Sequence, residues 1–328
     1  MPTTAKQRKK RLSSLYSTRR GRLYMGDAHD LLTMDPVTRK RSQVQLVFTS
    51  PPFPLNRKKR YGNEEGEQYL EWLAAFAPQL RDYLTEDGSI VVEVGNGWEP
   101  GSPTMSTLSM EALLAFKKAG DFHLCQEFIC YNPARLPSPA QWVTVERCRV
   151  KDAFTRVWWL SPTTTPKASN KRVLTGYSDS MKRLLERGTY NPGTRPSEHT
   201  VGKQSFLKQH AGAIPPNVLV PALEDLLPDL LEALPELHGI LPVANTRASD
   251  PYLDFCRENQ LTPHPARMPK RLVEFFIAML TDEDDLVLDP FAGSNTTGFV
   301  AEQMNRNWIS LEMDPEYADA SEVRFITE

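Results

Sequence analysis

The stretch DDLVLDPFAGSNTTG, Asp284 to Gly298, limits what this chain can fold into more than any other. An apolar strand ends at Asp289, a tight turn runs through Ala292, Gly293 and Ser294, and Asn295, Thr296 and Thr297 open a helix. Strand, glycine turn and helix in that order form the repeating unit of a doubly wound α/β sheet. Small residues in the turn let a ligand approach the backbone at the helix start. Glu312, 23 positions after Asp289, ends the next strand, where an acidic side chain can accept hydrogen bonds from ribose hydroxyls. The pair implies an adenosine ligand. The turn has one glycine rather than three and no following GK[ST], so it is neither a dinucleotide fingerprint nor a triphosphate loop. Taken alone, an acidic residue ending a strand before a glycine also fits simple sheet-to-helix punctuation.

The rest of the chain agrees with that class. Val44 to Phe48 reads as a buried strand. Glu64 to Leu84 carries Tyr69, Trp72, Leu73, Phe76, Leu80 and Tyr83 near helical spacing and feeds the apolar run Ile90 to Val94. A helix over Ser109 to Lys118, strands near Phe128 to Tyr131 and Val157 to Leu160, a helix over Lys270 to Leu280 and strands at Leu286 to Leu288 and Trp308 to Leu311 follow. The expected fold is α/β, a doubly wound, mostly parallel sheet. From Pro162 to Thr262 the pattern loosens into turn-rich segments, with one or two short helices expected over Val218 to Leu241, interrupted at Pro228 and Pro235. The expected organisation is a basic leader over 1–22, with order and disorder both open, and a catalytic and cofactor-binding domain over 23–165 and 262–328. A target-recognition region over 166–261 completes it, with a leucine-rich insert near 218–243.

A second stretch, TSPPF, Thr49 to Phe53, follows the first of these strands and places two prolines and an aromatic ring where a loop is usually small and polar. A Pro-Pro-Phe turn also fits a packing elbow under a loop. Together with DPFAGSNTTG and LEMD, however, TSPPF resembles the catalytic motif of the S-adenosylmethionine-dependent DNA amino-methyltransferases. The catalytic motif precedes the cofactor motif, the circularly permuted order of that family's beta group, and the resemblance runs from about Gly26 to Phe325. It implies the Rossmann-like fold of such enzymes, S-adenosyl-L-methionine as cofactor and double-stranded DNA as partner.

The resemblance also assigns residues. Ser50, Pro51, Pro52 and Phe53 match the catalytic loop. Two prolines hold carbonyl acceptors in fixed places, and an aromatic ring replaces the stacking that an extruded base loses. Asp289, Phe291, Gly293, Ser294, Asn295 and Thr296 match the cofactor turn, Glu312 the ribose ligand and Asp27 the contact to the adenine ring. His264, Arg267 and Pro269 in HPARMP match the segment closing over the methionine end, although Arg267 also fits a surface position at a helix start. Arg57, Lys58, Lys59 and Arg60, directly behind the catalytic loop, are expected on DNA phosphates. Arg195, His199, Lys203 and Gln204 are expected among readers of base edges. Serine before Pro-Pro-aromatic leans to cytosine N4, whereas aspartate or asparagine leans to adenine N6. The basic leader and the leucine-rich insert depart from the family's pattern. The insert falls where sequence readers lie, so target sequence does not carry over.

Composition narrows the alternatives. Up to position 60 fifteen Lys and Arg face only Asp27, Asp30 and Asp35, whereas Asp282 to Glu328 carries only Arg306 and Arg324 as cations. Such segregation suits a polyanionic partner on one face, or a solvated basic tail before Leu23. Cys125, Cys130, Cys148 and Cys256 form no paired C-x-x-C sets and no histidines sit near them at ligand spacing, so no metal site or disulfide is expected; they read as core residues. No run approaches a spanning helix and no export signal opens the chain, which reads as cytoplasmic. An adenine-N6 DNA methyltransferase, a glutamine or RNA methyltransferase and a decayed DNA-binding protein are the competing readings. A cognate restriction endonuclease that does not need to bind the chain is an expected companion, and monomer and homodimer both stay open.

Overall fold

The computed structural model describes residues 12–53, 66–132, 135–220, 241–242 and 251–326. Ten strands share one sheet: β1 (Tyr16–Ser17), β2 (Gly21–Met25), β3 (Val44–Thr49), β4 (Leu84–Gly95), β5 (His123–Tyr131), β6 (Phe154–Ser161), β7 (Val218–Val220), β8 (Leu241–Pro242), β9 (Leu286–Asp289) and β10 (Asn307–Glu312). Their order is β1-β2-β10-β9-β3-β4-β6-β5-β7-β8. Strands β2, β10, β9, β3 and β4 run parallel. Strand β6 is antiparallel to both β4 and β5, so β5 points the same way as β4. Every residue of β3 and of β9 is buried, as expected of strands covered on both faces, and their apolar runs follow from that.

Two layers of helices cover the sheet. Helix α2 (Gly66–Tyr83) buries Tyr69, Leu73, Phe76, Ala77, Leu80 and Tyr83 beside α3 (Leu108–Ala119) on one face. On the other face lie α6 (Lys270–Leu280), α7 (Thr296–Gln303) and α8 (Pro315–Ser321), with Phe275, Phe276, Val300 and Ala318 in the core. The short α1 (Ala28–Leu31) follows β2, while α4 (Asp179–Arg187) and α5 (Pro251–Glu258) belong to the middle of the chain. The permuted order is visible in the pairing. The last two strands lie in the middle of the sheet, β10 against β2 and β9 against β3, which creates the topological switch point where such sheets bind ligands.

The leader packs onto the fold from Leu12, and two expectations change. Tyr16 is 6% exposed, and its hydroxyl accepts from Asn295 Nδ2 at 2.8 Å and shares a hydrogen bond with Ser321 at 2.7 Å. Residues 1–11 lie outside the described residues. The helices expected over Val218 to Leu241 begin instead as β7, which pairs in parallel with β5 at Ile129 and Cys130 and buries Leu219 fully. Propensity yields there to an unpaired sheet edge, so the stretch after Pro162 contributes a strand to the ten-stranded sheet; 221–240 lie outside the described residues. Cys130 and Cys256 are core residues as expected, but Cys148 is exposed. Among the described residues no group of His, Cys, Asp and Glu could hold a metal ion, and no helix is long and apolar enough to cross a membrane.

Candidate active site

Strands β9 and β3 lie far apart in sequence and side by side in the sheet, and their carboxyl ends open on one cavity of about 360 Å³. Ser50, Pro51, Pro52 and Phe53 line it, together with Asp27, His264, Asp289, Phe291, Gly293, Ser294, Thr296 and Glu312. Three expected residues do not. Asn295 is fully buried, and its side chain caps α7 through the Gly298 N–H at 3.1 Å, accepts from Ser310 Oγ at 2.6 Å and donates to Tyr16. Arg267 lies off the cavity wall, and Pro269 starts α6, its carbonyl accepting from the Leu272 and Val273 N–H groups. From that segment Ala266 and Met268 line the cavity beside His264.

The glycine turn is built around two carboxylates. Asp289 is 3% exposed and accepts three hydrogen bonds: from Thr297 Oγ1 at 2.7 Å, from the Phe291 N–H at 3.0 Å and from Thr49 Oγ1 at 2.9 Å. Thr49 immediately precedes Ser50, so one buried carboxylate ties the Ser50–Phe53 loop to the glycine turn after Asp289. Burial pushes its pKa up to about 6 against the lowering effect of those donors. Glu312 at the end of β10 accepts from the Gly293 N–H at 2.6 Å, and from the Met313 and Asp314 N–H groups at 3.0 and 2.8 Å. Burial raises its pKa as well. Gly293 has φ +53°, and a Cβ there would meet the His264 ring at 3.0 Å, so only glycine keeps this turn open against His264. Asp27 caps α1 by accepting from the His29 N–H at 2.8 Å. Trp72, Phe76 and Phe291 line the cavity as an aromatic cluster, with ring centroids 5.0 to 5.5 Å apart.

The Ser50–Phe53 loop has a partner that the sequence did not announce. The Ser50 hydroxyl hydrogen-bonds Glu93 on β4, which also accepts from Thr155 Oγ1 at 2.7 Å and feels the charge of Arg135. Glu93 is 7% exposed, and burial raises its pKa. Its signal lay in plain view, a carboxylate inside the apolar run IVVEV. Phe53 packs against Gly95, where a Cβ would stand 2.6 Å from the ring. The aromatic ring is seated by an absent side chain two residues beyond Glu93.

Of the residues expected on DNA, Arg57, Lys58, Lys59 and Arg60 lie outside the described residues. Arg195, His199 and Lys203 are exposed. Arg195 and His199 close a two-stranded antiparallel ribbon, Gly193–Thr194 against Thr200–Val201, through an Arg195 N–H to His199 carbonyl bond of 2.8 Å.

Fold and cavity together set a Pro-Pro elbow against a glycine turn across a topological switch point, the arrangement of an α/β enzyme that takes a nucleoside-type ligand. The profile of the DNA methylase family matches residues 44–323, and the chain belongs to that family. A Proteus hauseri protein, the type II methyltransferase M.PvuII, is 43% identical over 95% of this chain and 85% of its own length. The solved PvuII DNA methyltransferase, cytosine-N4-specific, matches with a TM-score of 0.71 at 36% identity, covering 96% of this chain and 89% of that one. The fold is shared more distantly with TTHA0409 of Thermus thermophilus, a putative DNA modification methylase solved with S-adenosyl-L-methionine (TM-score 0.52, 18% identity, 92% of each chain).

Proposed function

We infer that the protein transfers a methyl group from S-adenosyl-L-methionine to the exocyclic N4 amine of a cytosine flipped out of duplex DNA. The observation that carries this reading is the meeting of Ser50 and Glu312 on one cavity, in a chain 43% identical to M.PvuII along 95% of its length. The residues present suit the cofactor. Glu312 offers spare lone pairs to ribose hydroxyls, the Asp27 region and the Trp72, Phe76 and Phe291 rings suit an adenine, and His264 stands over the turn where the methionine end would lie. When bound, the cofactor supplies an electrophilic methyl group on a sulfonium.

The chain's own residues prepare the nucleophile. The amine of cytosine is a poor one, because its lone pair is delocalised into the ring. Glu93 takes the Ser50 proton in a hydrogen bond, which fixes the hydroxyl rotor and leaves the Ser50 oxygen lone pairs facing the cavity. Ser50 Oγ and the Pro51 carbonyl then accept from the amine and draw its nitrogen toward tetrahedral geometry. Phe53, held on Gly95, offers a face for the extruded base, worth about 1–3 kcal/mol of stacking. After attack the nitrogen's proton is acidic and leaves to water or through Ser50 toward Glu93.

Around this centre, residues 23–165 and 262–328 act as the catalytic domain and 166–261 as the recognition region, presenting the Arg195–His199 ribbon to a groove. Arg57 to Arg60 neutralise phosphates beside the catalytic loop. The protein protects host DNA from a cognate restriction endonuclease, which does not need to bind it. The test is direct: the purified protein is incubated with labelled cofactor and plasmid DNA, and the modified nucleoside is identified by mass spectrometry. N4-methylcytosine is expected; N6-methyladenine would overturn the choice of base, and no transfer would overturn the activity. Ser50→Ala should bind cofactor normally yet lose at least about a hundredfold in turnover, the scale of a lost preorganised catalytic hydrogen bond; undiminished turnover removes Ser50 from the mechanism.

A further inference from the structure

Taking a base out of a duplex leaves a hole one base deep, and enzymes that bend or open DNA often fill such gaps with an apolar side chain. The loop joining β5 to β6 lies at the right edge of the sheet for this. Strand β5 runs parallel to β3 and β4, so its carboxyl end at Tyr131 opens on the same side as Ser50 and Glu93. That loop carries Arg135, whose charge acts on Glu93, the carboxylate that holds the Ser50 hydroxyl. The next residue, Leu136, is 79% exposed.

Leu136 stands on a braced support. Arg135 Nη1 donates to the Phe154 carbonyl at 3.1 Å, Lys151 Nζ donates to the Arg135 carbonyl at 3.3 Å, and the Arg135 N–H donates to the Asn132 carbonyl at 3.2 Å. Pro137 follows immediately and removes a further degree of freedom. The loop carries four cations, Arg135, Arg147, Arg149 and Lys151, against Glu146 and Asp152, a balance that suits a phosphate backbone. Arg149 is itself fixed over the Trp98 ring at 5.5 Å and on Asp152 at 3.4 Å. A large apolar side chain exposed on a loop braced by hydrogen bonds, one residue from the cation whose charge acts on Glu93, is placed to meet DNA next to the reacting nucleotide.

We propose that Leu136 is the wedge that enters the base stack when the target nucleotide leaves it, a role that rests on the DNA-methyltransferase reading above. Its side chain occupies the vacated space, and the cations of the same loop hold the flanking phosphates. It touches neither cofactor nor reacting atoms and acts by holding the duplex open.

The test compares wild type, Leu136→Ala and Leu136→Met on a duplex containing the mapped target cytosine. Single-turnover methylation of the fully paired duplex should fall tenfold or more in Leu136→Ala and stay near wild type in Leu136→Met. The fluorescence rise of pyrrolo-cytosine at the target position on binding should shrink in parallel. A mismatch opposite the target, which pre-opens the base, should restore the Leu136→Ala rate to within about threefold of wild type. An unchanged rate on paired DNA, or a loss that the mismatch leaves in place, overturns the wedge. If the wild type itself methylates no DNA, the underlying activity fails instead, so the two failures are distinct.

Discussion

Replacing Asp289 by asparagine tests the carboxylate that joins the two functional loops. Asp289 is 3% exposed, and burial moves its carboxyl from an ordinary 3.8 to about 6. The folded protein therefore holds this proton more tightly than the unfolded chain does. The stability associated with the neutral form is complete below pH 3.8, is lost as pH rises toward 6, and is gone above it. A gap of about two pH units at about 1.4 kcal/mol each makes the ionised carboxylate a liability of about 3 kcal/mol at neutral pH. Asparagine fits the same contacts without the charge. Its oxygen can accept from Thr49 and the Phe291 N–H, and its NH₂ can donate to the Thr297 hydroxyl, which rotates to accept. Urea unfolding at intervals from about pH 4 to 8 should find Asp289→Asn close to wild type near pH 4. The variant should gain steadily to about 3 kcal/mol near pH 6 and stay constant above it. Methyl transfer should nonetheless fall, because neutral hydrogen bonds hold Thr49 and the cofactor turn less firmly than charged ones do. A stability difference that does not change with pH, or a variant less stable throughout, would refute the account of a buried carboxylate retained for positioning.

Thr49→Val removes one of the three donors and should cost about 1.5–3 kcal/mol above pH 6, with a smaller loss below it, read by the same unfolding series. Glu93→Gln should lower kcat at least about tenfold while calorimetric cofactor affinity stays unchanged, since the carboxylate sets Ser50 and not the cofactor; equal losses in both would assign Glu93 a structural role. Glu312→Gln should weaken cofactor binding by roughly ten- to a hundredfold, the range of a hydrogen bond to a charged group, and unchanged affinity by calorimetry would remove it from the ribose site.

The two loops were legible for different reasons. DPFAGS and TSPPF announce themselves because glycine and proline have local backbone effects that do not depend on the rest of the fold: Gly293 sits at φ +53° and the prolines stiffen an elbow. Glu312 was legible by its spacing, yet its carboxylate also holds the Gly293 N–H, a contact that only the pairing of β9 with β10 creates. Asn295 reads from sequence as a ligand beside the glycine turn, whereas its cap and its bond to Tyr16 become visible only in the fold. Glu93 escaped because the value of a carboxylate in a strand depends on what lies across from it.

The sequence by itself determined most of the elements, β7 excepted. Alternating apolar runs, amphipathic periods and turn residues act over a few positions, so they specify strands, helices and the two signature turns without reference to partners. Only the tertiary structure decided which of them meet. Pairing β9 beside β3 laid Asp289 against Thr49 across 240 positions of chain, and pairing β4 beside β3 and β6 surrounded Glu93 with Ser50 and Thr155. Burial, which raises both carboxylates, belongs to a packed sheet covered on two faces and is not a property of any short stretch.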